Sequence, residues 1–191
     1  GKFVKYKPAK LKGGVPHPAN IVESSSMAAV DPPDITYKAS LPTEVIKEGK
    51  LSDLQLETVH YAGQQFEKIM PNGQRMAYFI GDGTGVGKGR QIAGIISDQW
   101  NKGIKRILWI SASGDLIEDA KRDLNDLGLD VPINRINDYA PGDDIVAPNG
   151  IIFSTYTSLI AKSKTGKKQS RQQQLENWLG NDSIIIFDEA H

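Results

Sequence analysis

Three stretches of this chain, Ile107-Leu108-Trp109-Ile110, Ile151-Ile152-Phe153 and Ile184-Ile185-Ile186-Phe187, are apolar without a break. A strand with one face in water alternates apolar and polar residues, so an unbroken run of this kind has both faces covered. The segments between the runs carry apolar residues at helical spacing. Buried strands alternating with amphipathic helices define an α/β fold: a parallel sheet with helices on both faces. Ligands of such sheets bind at the carboxyl ends of the strands. The chemistry of this chain is therefore expected in the residues that follow each apolar run.

The pattern divides the chain in two. Residues 1–50 hold six of the ten prolines (Pro8, Pro16, Pro18, Pro32, Pro33 and Pro42). Proline excludes long helices and central strands, so this part reads as an extended arm packing on or preceding the domain. Residues 51–191 form the domain. Ser52 with Gln55 makes a capping box, and Leu51, Leu54, Val59, Phe66 and Ile69 recur at helical spacing up to Pro71-Asn72-Gly73. The spacing then predicts a strand over 76–80, a glycine loop over 81–87 and a helix to Trp100. A strand over 106–110, a helix over 115–127, a short strand over 133–136 and a strand over 150–154 follow. A short helix over 156–161, a helix over 171–179 and a last strand over 183–187 complete the pattern.

Composition narrows the chemistry. Lys and Arg number 23, as do Asp and Glu, so the net charge is zero and a nucleic-acid partner has to be held by local patches. Two such patches exist: Lys2, Lys5, Lys7, Lys10 and Lys12 in the arm, and Lys162, Lys164, Lys167, Lys168 and Arg171 in the loop after the fourth strand. Cysteine is absent, which excludes disulfides, thiolate zinc sites and cysteine nucleophiles. His17 and His60 have no companions at metal-ligand spacing and read as filler. No apolar run approaches the roughly 18 residues of a membrane helix, so an intracellular protein without a membrane partner is expected, cytoplasmic if bacterial or viral and nuclear if eukaryotic.

The first strand runs into Gly81-Asp82-Gly83-Thr84-Gly85-Val86-Gly87-Lys88-Gly89-Arg90. Glycines between a buried strand and a helix start can turn several backbone N–H groups toward one point, where the positive end of the helix adds to them. That suits a polyphosphate, with Lys88 on the β- and γ-phosphates. A dinucleotide fingerprint does not fit, because no register supplies G-x-G-x-x-G and the second strand ends in Ser111 instead of an acid. A merely tight turn does not need five glycines beside a lysine. The loop departs from the Walker pattern twice: Asp82 stands at the leading glycine position, and Gly89 at the hydroxyl that normally ligates Mg²⁺.

The last apolar run delivers Asp188-Glu189-Ala190-His191. Two acids at a strand end place one carboxylate beside a metal and the next where it can orient and deprotonate a water. Asp188 takes the Mg²⁺ role and Glu189 the base role, with Lys88, Asp188 and Glu189 as the catalytic set.

With Ile-Ile-Ile-Phe-Asp-Glu-Ala-His following a Gly-Lys loop, the chain resembles the first RecA-like domain of superfamily 2 helicases and translocases. Within them it is most similar to the strawberry notch family. The likeness rests on residues 21–30 with Pro32-Pro33, 51–57, 71–75, 81–90 and 152–160, and runs from Pro18 to the end. Gly-Lys-Gly-Arg is that family's own variant, so Gly89 reads as a family trait. The resemblance implies ATP and Mg²⁺ as cofactors, held by Gln55 (an adenine-reading glutamine) and by Asp82, Gly83, Thr84, Gly85, Val86, Gly87, Lys88, Gly89 and Arg90. It implies nucleic acid, DNA before RNA, contacted by Ser111, Ser113, Ser154 and Thr155 at two strand ends, with Lys164, Lys167 and Lys168 of the basic loop beside them. Gln55 could instead cap its helix, the four hydroxyls could equally be helix caps, and Arg75 reads as a surface ion pair in preference to a nucleotide neighbour. His191 would couple the nucleotide to a second RecA-like domain elsewhere in the chain.

The implied function is the ATP-binding half of an ATP-dependent helicase- or translocase-like protein. The alternative is a nucleotide-binding regulatory module with little hydrolysis, while a small-molecule kinase lacks its lid arginines. In the resembled fold a further strand follows the acidic box and lies between the glycine-loop strand and the box strand. The chain is therefore expected to be cut short and to lack that central strand.

Overall fold

In the computed structural model, residues 34–81, 87–161 and 169–188 are described. Five parallel strands form one sheet: β1 (Tyr78–Ile80), β2 (Arg106–Ser111), β3 (Ile133–Arg135), β4 (Gly150–Thr155) and β5 (Ile184–Asp188), in the order β1-β5-β2-β4-β3. Six helices accompany them among the described residues: α1 (Thr43–Lys47), α2 (Asp53–Phe66), α3 (Lys88–Asn101), α4 (Leu116–Asp126), α5 (Tyr156–Leu159) and α6 (Arg171–Leu179). This is the parallel sheet under helices that the apolar runs imply, and it is consistent with the RecA-like fold that the resemblance implies.

The apolar runs divide between the faces with period two. Ile107, Trp109, Ile151, Phe153, Ile184 and Ile186 join the core under α2, α3 and α4. Leu108, Ile110, Ile152, Ile185 and Phe187 join the core under α5 and α6. Both sets are buried, which is why no polar residue interrupts the runs. Two capping boxes set helix starts: Ser52 with Gln55 on α2, and Ser170 with Gln173 on α6.

The first strand is shorter than its sequence suggests. Met76 N–H donates to Lys68 O at 2.8 Å and Arg75 bridges Ile69 antiparallel, so the segment before Ala77 folds back on the end of α2. Ile136 leaves β3 for a 3₁₀ turn, Ile136–Asp138, because the Asp138 carboxylate accepts from Arg135 N. Residues 34–42 carry no regular secondary structure and are bonded to α2 and α3, Thr36 N donating to Gln64 Oε1 at 2.9 Å and Ser40 N to Asp98 Oδ1 at 2.6 Å. The sequence reading did not anticipate α1, a single turn that begins directly after Pro42, where a proline does not oppose a helix.

The sheet closes without the further strand of the resembled fold. β1 and β5 are direct neighbours, with Tyr78, Phe79 and Ile80 opposite Ile186, Phe187 and Asp188, and no strand lies between them. Both strands are apolar and carry backbone donors and acceptors along their edges. Parallel pairing satisfies those groups, whereas a gap would bury them unpaired.

The arm is held by a buried carboxylate. Asp98, 1% exposed on α3, accepts from the Tyr37 hydroxyl and from Ser40 N, both at 2.6 Å, and lies 3.2 Å from Lys102 Nζ. Burial first, and then the bond to Asp98, push the Tyr37 hydroxyl up and keep it protonated.

Candidate nucleotide-binding site

Three strands end at one place. Ile80, Ser111 and Asp188 are the last residues of β1, β2 and β5, and the register sets Asp188 beside both Ile80 and Ser111. The glycine loop leaves β1 at this point and returns at Gly87, which starts α3. Gly87 has φ +68°, in the left-handed region that favours glycine. The N-cap of α3 is Gly87, which has no side chain to cap the helix, in contrast to Ser52 and Ser170 on α2 and α6. The first turn of a 14-residue helix thus begins beside the strand ends from a glycine N-cap, which suits an anion.

Lys88 extends from this helix start to Asp188, with Nζ donating to Oδ1 at 2.8 Å. The aspartate is fully buried and the lysine side chain is 10% exposed. The other carboxylate oxygen, Oδ2, accepts from Ser111 Oγ at 2.9 Å. Tyr156 Oη donates to the Asp188 carbonyl at 3.3 Å and its ring stacks on Phe187. A buried carboxylate bonded to a lysine and a hydroxyl has the oxygen chemistry that Mg²⁺ prefers. The residues present therefore fit a nucleotide with a divalent ion, Lys88 being placed for phosphate and Asp188 for the metal.

Gln55 reaches the same place from α2. Its Oε1 accepts from Ser52 N at 2.9 Å, completing the capping box, and its Nε2 faces Gly87, where it would lie 3.1 Å from an added Cβ. Gln55 thus caps its helix, and the same side chain borders Gly87 at the end of the glycine loop.

Gly89 is explained by packing. A Cβ there would lie 3.1 Å from Asp123 Oδ2 and 3.2 Å from Asp119 Cβ on α4, so the position of the missing hydroxyl is a close helix contact. Arg90 is not brought to the nucleotide site, and its assignment there is corrected: Nε lies 3.2 Å from Asp123 Oδ1 and Nη2 2.9 Å from Asp126 Oδ2. It projects sideways from the first turn of α3 onto α4. Burial raises the Asp123 carboxyl above its ordinary value, against the lowering effect of Arg90 and then Arg122.

The four hydroxyls expected on nucleic acid separate. Ser111 and Ser154 are fully buried and out of reach of a nucleic-acid backbone, so these two assignments are corrected. Ser111 is spent on Asp188, and Ser154 Oγ donates to Thr155 O at 2.8 Å. Thr155 is the N-cap of α5, accepting from Ser158 N at 3.1 Å, and Ser113 Oγ accepts from Asp115 N at 3.2 Å. Both of these are partly exposed. Arg75 pairs with Asp182 at 3.1 Å, and His60 Nδ1 lies 2.7 Å from Leu56 O inside its own helix. Asp82, Gly83, Thr84, Gly85, Val86, Lys164, Lys167, Lys168, Glu189, His191 and the arm before Asp34 lie outside the described residues. Among the described residues no cluster of His, Cys, Asp and Glu is built for a metal on its own, and no helix is long and apolar enough to cross a membrane.

Sequence reasoning missed the partners of Ser111, the Tyr37–Asp98 anchor and the acids behind Gly89. Only the first left a trace: Ser111 and Asp188 each end an apolar run, but their adjacency depends on strand order.

Comparison with known proteins agrees with this geometry. A family model described as "P-loop containing NTP hydrolase pore-1" matches residues 16–191. The chain is 49% identical over 199 residues to protein strawberry notch of Drosophila melanogaster, covering 99% of this chain and 12% of that protein. It is 46% identical over 198 residues to strawberry notch homolog 1 of Homo sapiens, covering 99% and 14%. It is 45% identical over 196 residues to protein FORGETTER 1 of Arabidopsis thaliana, covering 99% and 15%. The chain thus spans less than a sixth of the length of these three relatives.

Proposed function

Because the chain belongs to the strawberry notch family of P-loop NTP hydrolases, we propose that it is the ATP-binding half of an ATP-dependent helicase- or translocase-type motor acting on nucleic acid. The observation that carries this reading is the Lys88–Asp188 pair, set where three strand ends meet the start of α3 at its glycine N-cap.

In this reading the glycine-loop amides and the first turn of α3 bind the phosphates, and Lys88 leaves Asp188 for the β- and γ-phosphate oxygens. Gln55 borders the base. Mg²⁺, when bound, neutralises phosphate charge and orients the γ-phosphate, and Asp188 is the residue that would hold it. Glu189 accepts a proton from the water that attacks the γ-phosphorus, with ADP as leaving group. Ser113, Thr155 and the basic loop with Lys164, Lys167 and Lys168 contact nucleic-acid phosphates, DNA before RNA. A second RecA-like domain elsewhere in the protein completes the motor. Eukaryotic relatives support a nuclear setting.

Nucleic-acid-stimulated ATP hydrolysis by the full-length protein tests the reading. Lys88→Ala and Glu189→Gln are each expected to abolish it; equal rates for wild type and Glu189→Gln overturn it. Alanine at Lys164, Lys167 and Lys168 should weaken nucleic-acid binding and flatten its salt dependence. Unchanged affinity and slope remove the loop from the interface.

The runner-up, a nucleotide-binding module that hydrolyses little, is favoured by Gly89, which supplies no metal-ligating hydroxyl and where an added Cβ would crowd α4. Binding without turnover in the full-length protein would select it.

A further inference from the structure

Ser111 was expected on nucleic acid and is instead buried against the nucleotide carboxylate. Its surroundings fix the direction of its one proton. Ser113 N–H points at Ser111 Oγ from 3.3 Å, so the hydroxyl oxygen is the acceptor there. Asp188 Oδ2, 2.9 Å away, is an acceptor when the carboxylate is ionised, so the Ser111 proton goes to it. The result is a run of donors from the Ser113 amide through the Ser111 hydroxyl to Oδ2, with Lys88 on Oδ1. Hydrogen bonds in series strengthen one another, most of all where water is excluded. Ser111 and Asp188 are both 0% exposed and sit opposite one another in the β2–β5 register.

We propose that Ser111 is a positioning residue for Asp188: its hydroxyl holds the carboxylate by Oδ2, so that Oδ1 stays turned to the start of α3 and is offered to a divalent ion when Lys88 moves to phosphate. This rests on the reading of Asp188 as the metal-holding carboxylate. Lys88 is a long, flexible tether that has to leave for the phosphates. Ser111 is short, anchored at the end of a central strand and bonded on its other side to the backbone. It is therefore the partner that can keep the carboxylate plane fixed throughout binding. Outer partners of metal ligands act in this way by orienting the ligand.

The test uses the full-length protein with ADP present and Mn²⁺ as the probe, bound and free ion being separated by electron paramagnetic resonance. Ser111→Ala deletes the donor, Ser111→Cys keeps the volume with a weak donor, and Ser111→Thr keeps the hydroxyl. The Mn²⁺ dissociation constant is expected to rise about 10- to 100-fold in Ser111→Ala and Ser111→Cys and to stay near wild type in Ser111→Thr. ADP binding in the presence of a chelator should be unchanged in all three, which a merely structural defect would not allow. If Ser111→Ala does not fold, Ser111→Cys carries the comparison. Wild-type Mn²⁺ affinity in both Ser111→Ala and Ser111→Cys overturns the proposal while leaving the nucleotide site standing. Wild-type protein that binds neither ADP nor Mn²⁺ overturns both readings, and the two failures are thereby distinguished.

Discussion

Lys88 Nζ and Asp188 Oδ1 meet at 2.8 Å across 100 residues of chain, at the junction of α3 and β5. The contact is a buried ion pair whose members come from the two sequence motifs with the clearest chemical meaning. Desolvating both charges is costly, so the pair by itself is weak support for stability, whereas losing one partner leaves the other buried and unpaired.

Removing the lysine alone exposes that cost. Lys88→Ala leaves a fully buried carboxylate with one hydroxyl donor, and the expected loss is about 3–5 kcal/mol of folding stability in the absence of nucleotide. Lys88→Ala combined with Asp188→Asn should recover most of it. Chemical denaturation of the single and double variants measures the difference.

Restoring the Walker hydroxyl is expected to do harm. In Gly89→Ser the new Cβ meets Asp123 Oδ2 at 3.1 Å and Asp119 Cβ at 3.2 Å, and α4 has to shift by a few tenths of an ångström. Overpacking of this kind costs about 1–3 kcal/mol. The denaturation midpoint should fall, and ATP hydrolysis should not rise.

The arm should loosen when its anchor is cut. Tyr37→Phe removes a hydrogen bond to the buried Asp98 carboxylate, a class of bond worth about 1.5–3 kcal/mol. Limited proteolysis should then cleave near residues 34–42 earlier than in wild type. Unchanged cleavage and stability would show that Ser40 N and Lys102 suffice.

Asp123 gives a pH dependence with a definite sign. Its folded-state pKa is raised above the model-peptide value of 3.8, so the folded state holds a proton that the unfolded state has already lost. Its contribution to stability is full below that value and is lost as pH rises through the raised one. Asp123→Asn should remove this component from a urea-denaturation series run upward from about pH 3.5. A variant curve parallel to wild type over that range would contradict it.

Much of the fold was legible because its strands are covered on both faces. Nothing polar interrupts residues 107–110, 151–153 or 184–187, and such runs have few alternatives to a parallel sheet under helices. Ser52 with Gln55 and Ser170 with Gln173 wrote their helix starts into four residues each. The glycine loop and the acidic strand end were readable for the same reason: their chemistry depends on residue type at short spacing. The single turn α1 was not legible, since Thr43–Lys47 carries one buried side chain, Val45, and no repeating pattern.

What the sequence determined by itself, then, is local: which segments are strands and helices, where each ends, and which residue types stand at those ends. The tertiary structure decided who meets whom. Strand order set Asp188 between Ile80 and Ser111, turning a serine expected on nucleic acid into a partner of the Asp188 carboxylate. Helix packing turned Gly89 from a missing ligand into a close contact and drew Arg90 away onto α4. The physical reason is that backbone periodicity acts over a few residues and leaves its mark in the sequence there. Hydrogen bonds and ion pairs between distant segments depend on distances of a few ångströms that only the packed sheet and helices fix.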